Sequence, residues 1–157
     1  MPERTSNWHK LTHLKRSQWV VIVQSPVVLL LTWIRLRRGG YQKTLDQIVT
    51  GSEPVLPPEK QLVMAKEVAF ALAVAVKAGP WRPQCLVRSL ALGWFLARRS
   101  IPFFVRIGVP NQKLIMEENG VVNFSAHAWV EHAGVVLNDR QDIAEQFSAF
   151  DTGSGPA

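Results

Sequence analysis

The first fifty residues have the alternation of apolar and polar positions that is typical of helices. Residues 9–23 and 27–38 are predicted to form two helices, with Pro26 between them as a first-turn residue or a kink. The pair Gly39-Gly40 is expected to end the second helix, and residues 41–49 to form a short third one. The N-terminal part of the chain is therefore predicted to be helical.

The apolar stretch from Trp19 to Ile34 could be considered as a membrane-spanning helix. It spans sixteen residues and includes Gln24, Ser25 and Pro26, whereas a membrane-spanning helix needs about twenty mostly apolar residues. We expect its apolar face to pack on the rest of the domain or on a partner protein. Membrane association is the less favoured alternative.

A proline-rich segment, residues 51–58, divides the chain. It is the predicted linker between a basic helical segment at 1–50 and a second unit at 59–152, which is followed by a Gly-, Ser- and Pro-rich disordered tail at 153–157. The second unit opens with an alanine-rich stretch, residues 59–77, that predicts a strong helix.

The second unit then changes from helical to strand periodicity. Residues 85–99 carry apolar side chains at helical spacing and predict a helix that begins at Cys85. A polar loop is expected at 111–120. Three segments predict strands: 102–109, 121–131 and 135–139. Helices followed by antiparallel strands indicate an α+β fold.

Positive charge is concentrated at the N-terminus. The chain has a net charge of +6, and residues 1–45 carry eight Lys or Arg residues against Glu3 alone. This basic segment could attract an acidic partner protein, anionic lipid or nucleic acid, or form only a solvated helix face.

Cys85 is the only cysteine, so it cannot form an intramolecular disulfide. Together with the lack of a signal-peptide pattern, this favours a reducing, cytoplasmic location. The free backbone N–H groups and the dipole of the predicted helix start stabilise a thiolate, and Arg82 and Arg88 add positive potential. Cys85 is either a buried small hydrophobic residue or a nucleophile, and its position favours the nucleophile.

His127 is the candidate base for this nucleophile, and Asp139 is the candidate group that orients the base. A three-residue hairpin loop at 132–134 would place these two residues opposite each other, with Cβ atoms about 5 Å apart. A two-residue loop would shift the register and place Ala128 opposite Asp139 instead. His127 alone would also fit a satisfied, half-buried sheet histidine.

Other polar residues near these positions are alternatives. Asn138 and Asp142 compete with Asp139, because an amide also orients an imidazole, but the strand parity of Asp139 matches His127. His132 is expected at the turn, in solvent. Three further residues are candidates for an oxyanion donor or for the pocket wall: Trp81, Gln84 and Trp129. No metal or cofactor is expected.

Five segments, taken together, resemble the lasso-peptide leader peptidases, which are transglutaminase-like cysteine proteases. The matching segments are W-R-x-x-C-L-x-R-S-L-A-L at 81–92, R-R-x-I-P at 98–102, R-I-G-V at 106–109, A-H-A-W-V-E at 126–131 and G-V-V-L-N-D at 134–139. The resemblance implies a transglutaminase- or papain-like core, with the nucleophile helix packed on an antiparallel sheet and N-terminal helices before it. It also implies that Cys85, His127 and Asp139 form a catalytic triad.

The resemblance further implies that the protein removes the leader from a ribosomally made lasso-peptide precursor. The freed amine of the core peptide would then be used by a separate ATP-dependent cyclase. The first 80 residues lack the predicted strands of a leader-recognition domain, so we expect a separate leader-recognition protein and no nucleic-acid partner. Two alternatives stay open: acyl transfer to an amine, and a non-catalytic adaptor on a membrane or nucleic acid.

Overall fold

A computed structural model of the protein describes residues 15–49, 56–110 and 126–150. Within these residues, helices pack against a four-stranded antiparallel sheet of order β3-β2-β1-β4, so the α+β prediction is confirmed. The elements in chain order are helix α1 (Arg16–Ile48), helix α2 (Pro58–Ala78), helix α3 (Cys85–Ala97), strand β1 (Phe104–Pro110), strand β2 (His127–His132), strand β3 (Val135–Val136), helix α4 (Ile143–Gln146) and strand β4 (Phe147–Phe150). The predicted polar loop, most of the linker and the tail lie outside the described residues.

Helix α1 continues through Pro26, so the prediction of two separate helices on either side of it is wrong. A proline inside a helix costs about 3 kcal/mol, because it removes one backbone hydrogen bond and clashes with the preceding turn. However, Val21, Val28 and Leu29 are buried on this stretch, and each buried side chain of this type stabilises the fold by about 1.5–3 kcal/mol. The expected break at the glycine pair is present at Gly40, whose φ of 73° kinks the helix.

The two faces of α1 differ. One face packs on α2 and α3, as expected. The other face exposes apolar side chains, namely Trp19, Val20, Val23, Val27, Leu30 and Leu31. By length and composition, α1 is the one helix in the described ranges that could cross a membrane. The apolar stretch is therefore only half covered by the rest of the domain.

Helix α3 is at the centre of the main core, which it shares with α1, α2 and the inner side of the sheet. Its apolar residues surround it almost completely, and the side chains of Leu90, Leu92 and Phe95 are fully buried. At Gly93 the helix is so close to Phe103 that an added Cβ would lie 2.6 Å from the ring. This packing fixes the position of the helix start, where Cys85 lies.

Strand β2 is covered on both faces. Val130 joins the helical core, whereas Trp129 packs on the opposite side of the sheet with Val136, Ile143 and Phe147. Ile143 of α4 and the side chain of Phe147, at the start of β4, thus cover the second face of the strand that begins at His127.

The β2–β3 hairpin has a two-residue turn, which is the shorter of the two loop lengths that the sequence left open. Glu131 pairs with Val136 and His132 with Val135, which leaves Ala133 (φ 49°) and Gly134 (φ 76°) in the turn. Two positive φ values define the type I′ turn that matches the twist of a hairpin. The expectation that His132 is solvated is wrong.

His132 is instead the last residue of β2, with its side chain buried. Its Nδ1 donates to the carbonyl of Pro102 at 2.6 Å, which ties the end of the strand to the segment after α3.

Candidate active site

Cys85 is the first residue of α3 and is half-buried. The residue before it, Gln84, is the N-cap, with an extended backbone (φ −60°, ψ 157°) and no capping hydrogen bond from its side chain. The first N–H groups of a helix have no intrahelical partner, and they carry the positive end of the helix dipole. Cys85 therefore lies at the helix end whose unpaired N–H groups are available to an oxyanion or another negatively charged group.

His127 and Asp139 are in direct contact. The imidazole Nε2 lies 2.5 Å from Oδ2 of the carboxylate, and both side chains are largely buried. Because a carboxylate accepts hydrogen bonds, Nε2 carries the proton in the neutral imidazole. The lone pair is then on Nδ1, which leaves that nitrogen free to accept a proton from a nucleophile.

The route by which Asp139 reaches His127 differs from the prediction. The two-residue turn sets a register in which Asp139 would face Ala128. However, β3 ends at Val136, and the chain then bends away from the regular strand. The last backbone hydrogen bond between the two strands runs from the N–H of Leu137 to the carbonyl of Val130, at 2.9 Å. The contact between His127 and Asp139 thus depends on a bend and not on strand register.

Asn138 stabilises this bend and links the sheet to α3. Its Oδ1 accepts from the N–H of Val130 at 2.8 Å, and its Nδ2 donates to Oγ of Ser89 at 2.9 Å. The Ser89 hydroxyl in turn donates to the carbonyl of Ala128 at 3.0 Å. Asn138 is therefore engaged with α3 and β2, and it is not the group that orients the imidazole.

Ser89 is a residue of the candidate site that was not predicted from the sequence. It is fully buried and lies one helical turn after Cys85, while its partners Ala128 and Asn138 are the chain neighbours of His127 and Asp139. Its hydroxyl thus connects all three candidate triad segments. A hydroxyl residue four positions after the cysteine, on a helix that is apolar apart from Arg88 and the cysteine itself, was the available signal.

The aromatic residues around His127 hold its ring. Trp129 stacks on the imidazole with centroids 6.4 Å apart, and Phe147 lies at 5.4 Å. Trp129 is fully buried and its indole N–H donates to Glu131 at 2.7 Å, so this donor is not free for an oxyanion. Trp81, in contrast, is exposed near the start of α3, as is Gln84.

Asp142, the other alternative to Asp139, is engaged elsewhere. Arg140 donates to both of its carboxylate oxygens, at 3.0 and 2.6 Å. These hydrogen bonds, more than the charge of Arg140 alone, hold the pKa of the Asp142 carboxyl below its ordinary value. Of the acidic and amide candidates, Asp139 is the one that contacts His127.

Cys85 and His127 are on neighbouring elements, because α3 packs on β2. They do not hydrogen-bond to each other among the residues described here, as is common for a nucleophile and its base before substrate binds. Across residues 15–49, 56–110 and 126–150, no three His, Cys, Asp or Glu side chains are grouped so as to hold a metal ion. The arrangement provides the parts for thiol chemistry: a cysteine at a helix start, an imidazole and a carboxylate.

Comparison with known proteins agrees with this chemistry. The family model of the transglutaminase-like superfamily matches residues 28–151, which include most of α1 and the whole of the candidate site. Neither the curated proteins nor the solved structures include a match to the chain. The superfamily consists typically of cysteine-based enzymes and includes both peptidases and acyltransferases. Because the match covers most of its length, the chain belongs to the transglutaminase-like superfamily.

Proposed function

We propose that this protein is a cysteine peptidase that removes the leader from a ribosomally made lasso-peptide precursor. The observation that carries the peptidase chemistry is the contact between His127 and Asp139, on a sheet that packs against the helix beginning at Cys85. The five lasso-type segments of the sequence, above all residues 81–92, support the choice of substrate. The match to the transglutaminase-like superfamily supports the class of enzyme.

In the first half of the proposed reaction, the sulfur of Cys85 attacks the carbonyl carbon at the leader–core junction. Nδ1 of His127 accepts the thiol proton, and the carboxylate of Asp139 stabilises the imidazolium through Nε2. The tetrahedral oxyanion is held by the backbone N–H of Cys85 and by a second donor, for which exposed Gln84 and Trp81 are candidates. This attack gives a tetrahedral intermediate in which the sulfur is bonded to the former carbonyl carbon.

In the second half, the imidazolium protonates the amine as the C–N bond breaks, which frees the N-terminus of the core peptide and leaves the leader joined to Cys85 as a thioester. Water then attacks the thioester, with His127 again accepting a proton, and the leader is released as a carboxylic acid. We propose that a separate leader-recognition protein delivers the precursor and that an ATP-dependent cyclase uses the freed amine. The exposed apolar face of α1, with basic residues at both ends, is a candidate docking surface for one of these partners.

Mass spectrometry of the precursor after incubation with the protein and its leader-recognition partner tests the proposal. Wild-type protein is expected to cut at one junction, and Cys85→Ala to leave the precursor intact. Because Cys85 is the only cysteine, a thiol-reactive peptide probe reports on this residue alone. An intact precursor together with an unlabelled Cys85 would contradict the proposal.

Acyl transfer to an amine is the second candidate, because the superfamily includes acyltransferases. The same thioester would form, and an amine would replace water as the attacking group. The masses of the products separate the two: hydrolysis adds one water to the leader fragment, whereas transfer adds the mass of the amine.

A further inference from the structure

A basic groove lies beside the candidate triad. This cavity of about 730 Å³ is bounded by α2 on one side and by the segment Leu137–Arg140 on the other. Its floor is apolar, and five basic side chains line it: Lys66, Lys77, Arg82, Arg88 and Arg140. One acidic residue, Asp139, shares the lining. The groove is thus strongly positive, and it begins at a residue of the triad.

Three of the charged groups in the groove are already engaged. Arg82 donates to carbonyls at the end of α2, those of Val76 at 2.7 Å and Gly79 at 3.1 Å. Arg140 is paired with Asp142. Asp139 uses one oxygen for His127 and the other for the backbone N–H of Arg140.

Lys66, Lys77 and Arg88 remain, and none of them forms an ion pair with another residue of the described ranges. The charge available to a ligand in the groove is therefore positive.

Arg88 is the most informative of these residues. Its Nε is buried and has no hydrogen-bond partner in the part of the chain that the structure describes. A buried polar group without a partner destabilises the fold, and such groups are rare in folded proteins. A guanidinium is the side chain best suited to bind a carboxylate, through two parallel hydrogen bonds. Arg88 also lies three residues after Cys85, close to one helical turn.

We propose that this groove binds a segment of the peptide substrate that carries Asp or Glu side chains, with Arg88 as the carboxylate anchor. The inference rests on the proposed peptidase function and specifies its substrate. From Lys66 to Lys77 the α2 wall is about 16 Å long at 1.5 Å per residue, which is room for about five residues of an extended peptide. Apolar neighbours of the acidic residue would pack on the floor, formed by Ala69, Leu72, Ala73, Val76 and Leu137.

Binding of two labelled hexapeptides to the Cys85→Ala protein tests the groove. The probes are Ala-Glu-Leu-Ala-Glu-Leu and its counterpart with both glutamates changed to glutamine, measured by fluorescence anisotropy. We expect the glutamate peptide to bind at least about tenfold more tightly, and Arg88→Met to abolish this difference. Lys60→Met is the matched control, because Lys60 is exposed on α2 outside the groove; it should retain the preference.

Equal binding of the two peptides, or a preference that survives in folded Arg88→Met, would overturn the inference. If Arg88→Met does not fold, the exposed pair Lys66→Met with Lys77→Met replaces it, and an unchanged preference there has the same meaning. Cleavage is measured separately on the wild-type protein. A protein that cuts the precursor without a glutamate preference loses only the groove; one that prefers glutamate without cutting loses only the peptidase proposal.

Discussion

The hydroxyl of Ser89 is predicted to position the active site, and Ser89→Ala tests this directly. The Ser89 hydroxyl bonds to neither Cys85 nor His127; it acts through Ala128 and Asn138. Its removal should therefore affect both the stability of the fold and the geometry of the site. The two effects can be separated, because they are measured by different experiments.

The stability cost follows from two hydrogen bonds in a fully buried place. Each neutral hydrogen bond contributes about 1 kcal/mol net, and a buried group that is left without a partner costs about 1–3 kcal/mol. We therefore expect Ser89→Ala to lower the free energy of unfolding by about 2–3 kcal/mol. Asn138→Ala also loses the bond to Val130. Because the two variants share one bond, their effects should be less than additive by about 1 kcal/mol.

Urea denaturation of the two single variants and the double variant measures this coupling. Ser25→Ala is the matched control for activity, because Ser25 is equally buried and donates one hydrogen bond within α1, at 2.6 Å. At a temperature where all proteins are folded, we expect kcat of Ser89→Ala to fall at least about tenfold, since small displacements of reacting groups are costly. Ser25→Ala should keep its kcat. Additive stabilities, or a kcat of Ser89→Ala equal to that of Ser25→Ala, would refute the reasoning.

Three further predictions concern other parts of the molecule. Asp139→Ala should lower kcat/KM by at least about a hundredfold, because Nε2 of the imidazole loses its partner; Asp142→Ala, the control, should change it less than about twofold in the same peptide-cleavage assay. Gly93→Ala should lower the free energy of unfolding by about 1–3 kcal/mol, because its Cβ would lie 2.6 Å from Phe103; thermal denaturation should show Phe103→Leu restoring part of the loss, and a neutral Gly93→Ala would contradict the packing. Ala133→Asn should raise the melting temperature, since Asn tolerates the positive φ of the first I′ turn position better than Ala; an unchanged or lower value would count against the turn.

Elements whose packing and boundary residues agree were predicted well from the sequence. Helix α2 was expected at 59–77 and is present at Pro58–Ala78, because a proline entrance and an alanine-rich body favour the same structure. Helix α3 was expected to begin at Cys85 and does. The helix break predicted at Pro26 is absent, because the burial of apolar side chains on both sides of the proline outweighs its unfavourable effect on the helix. The short elements α4 and β4 were not predicted. In the structure, Ile143 and Phe147 of these elements pack on the buried side chain of Trp129.

The geometry of the candidate site was harder to predict from the sequence, because a side chain there replaces a backbone hydrogen-bond partner. Residue types and order predict Cys85, His127 and Asp139 as the candidate triad, and the structure places the last two in contact. The predicted reason for that contact was strand register, and the register is different. Asn138 ends the ladder by offering its Oδ1 to a strand N–H, and the chain turns there. A pattern of alternating residues carries no information on where an amide side chain takes the place of a carbonyl, so the bend that brings Asp139 to His127 becomes visible only in three dimensions.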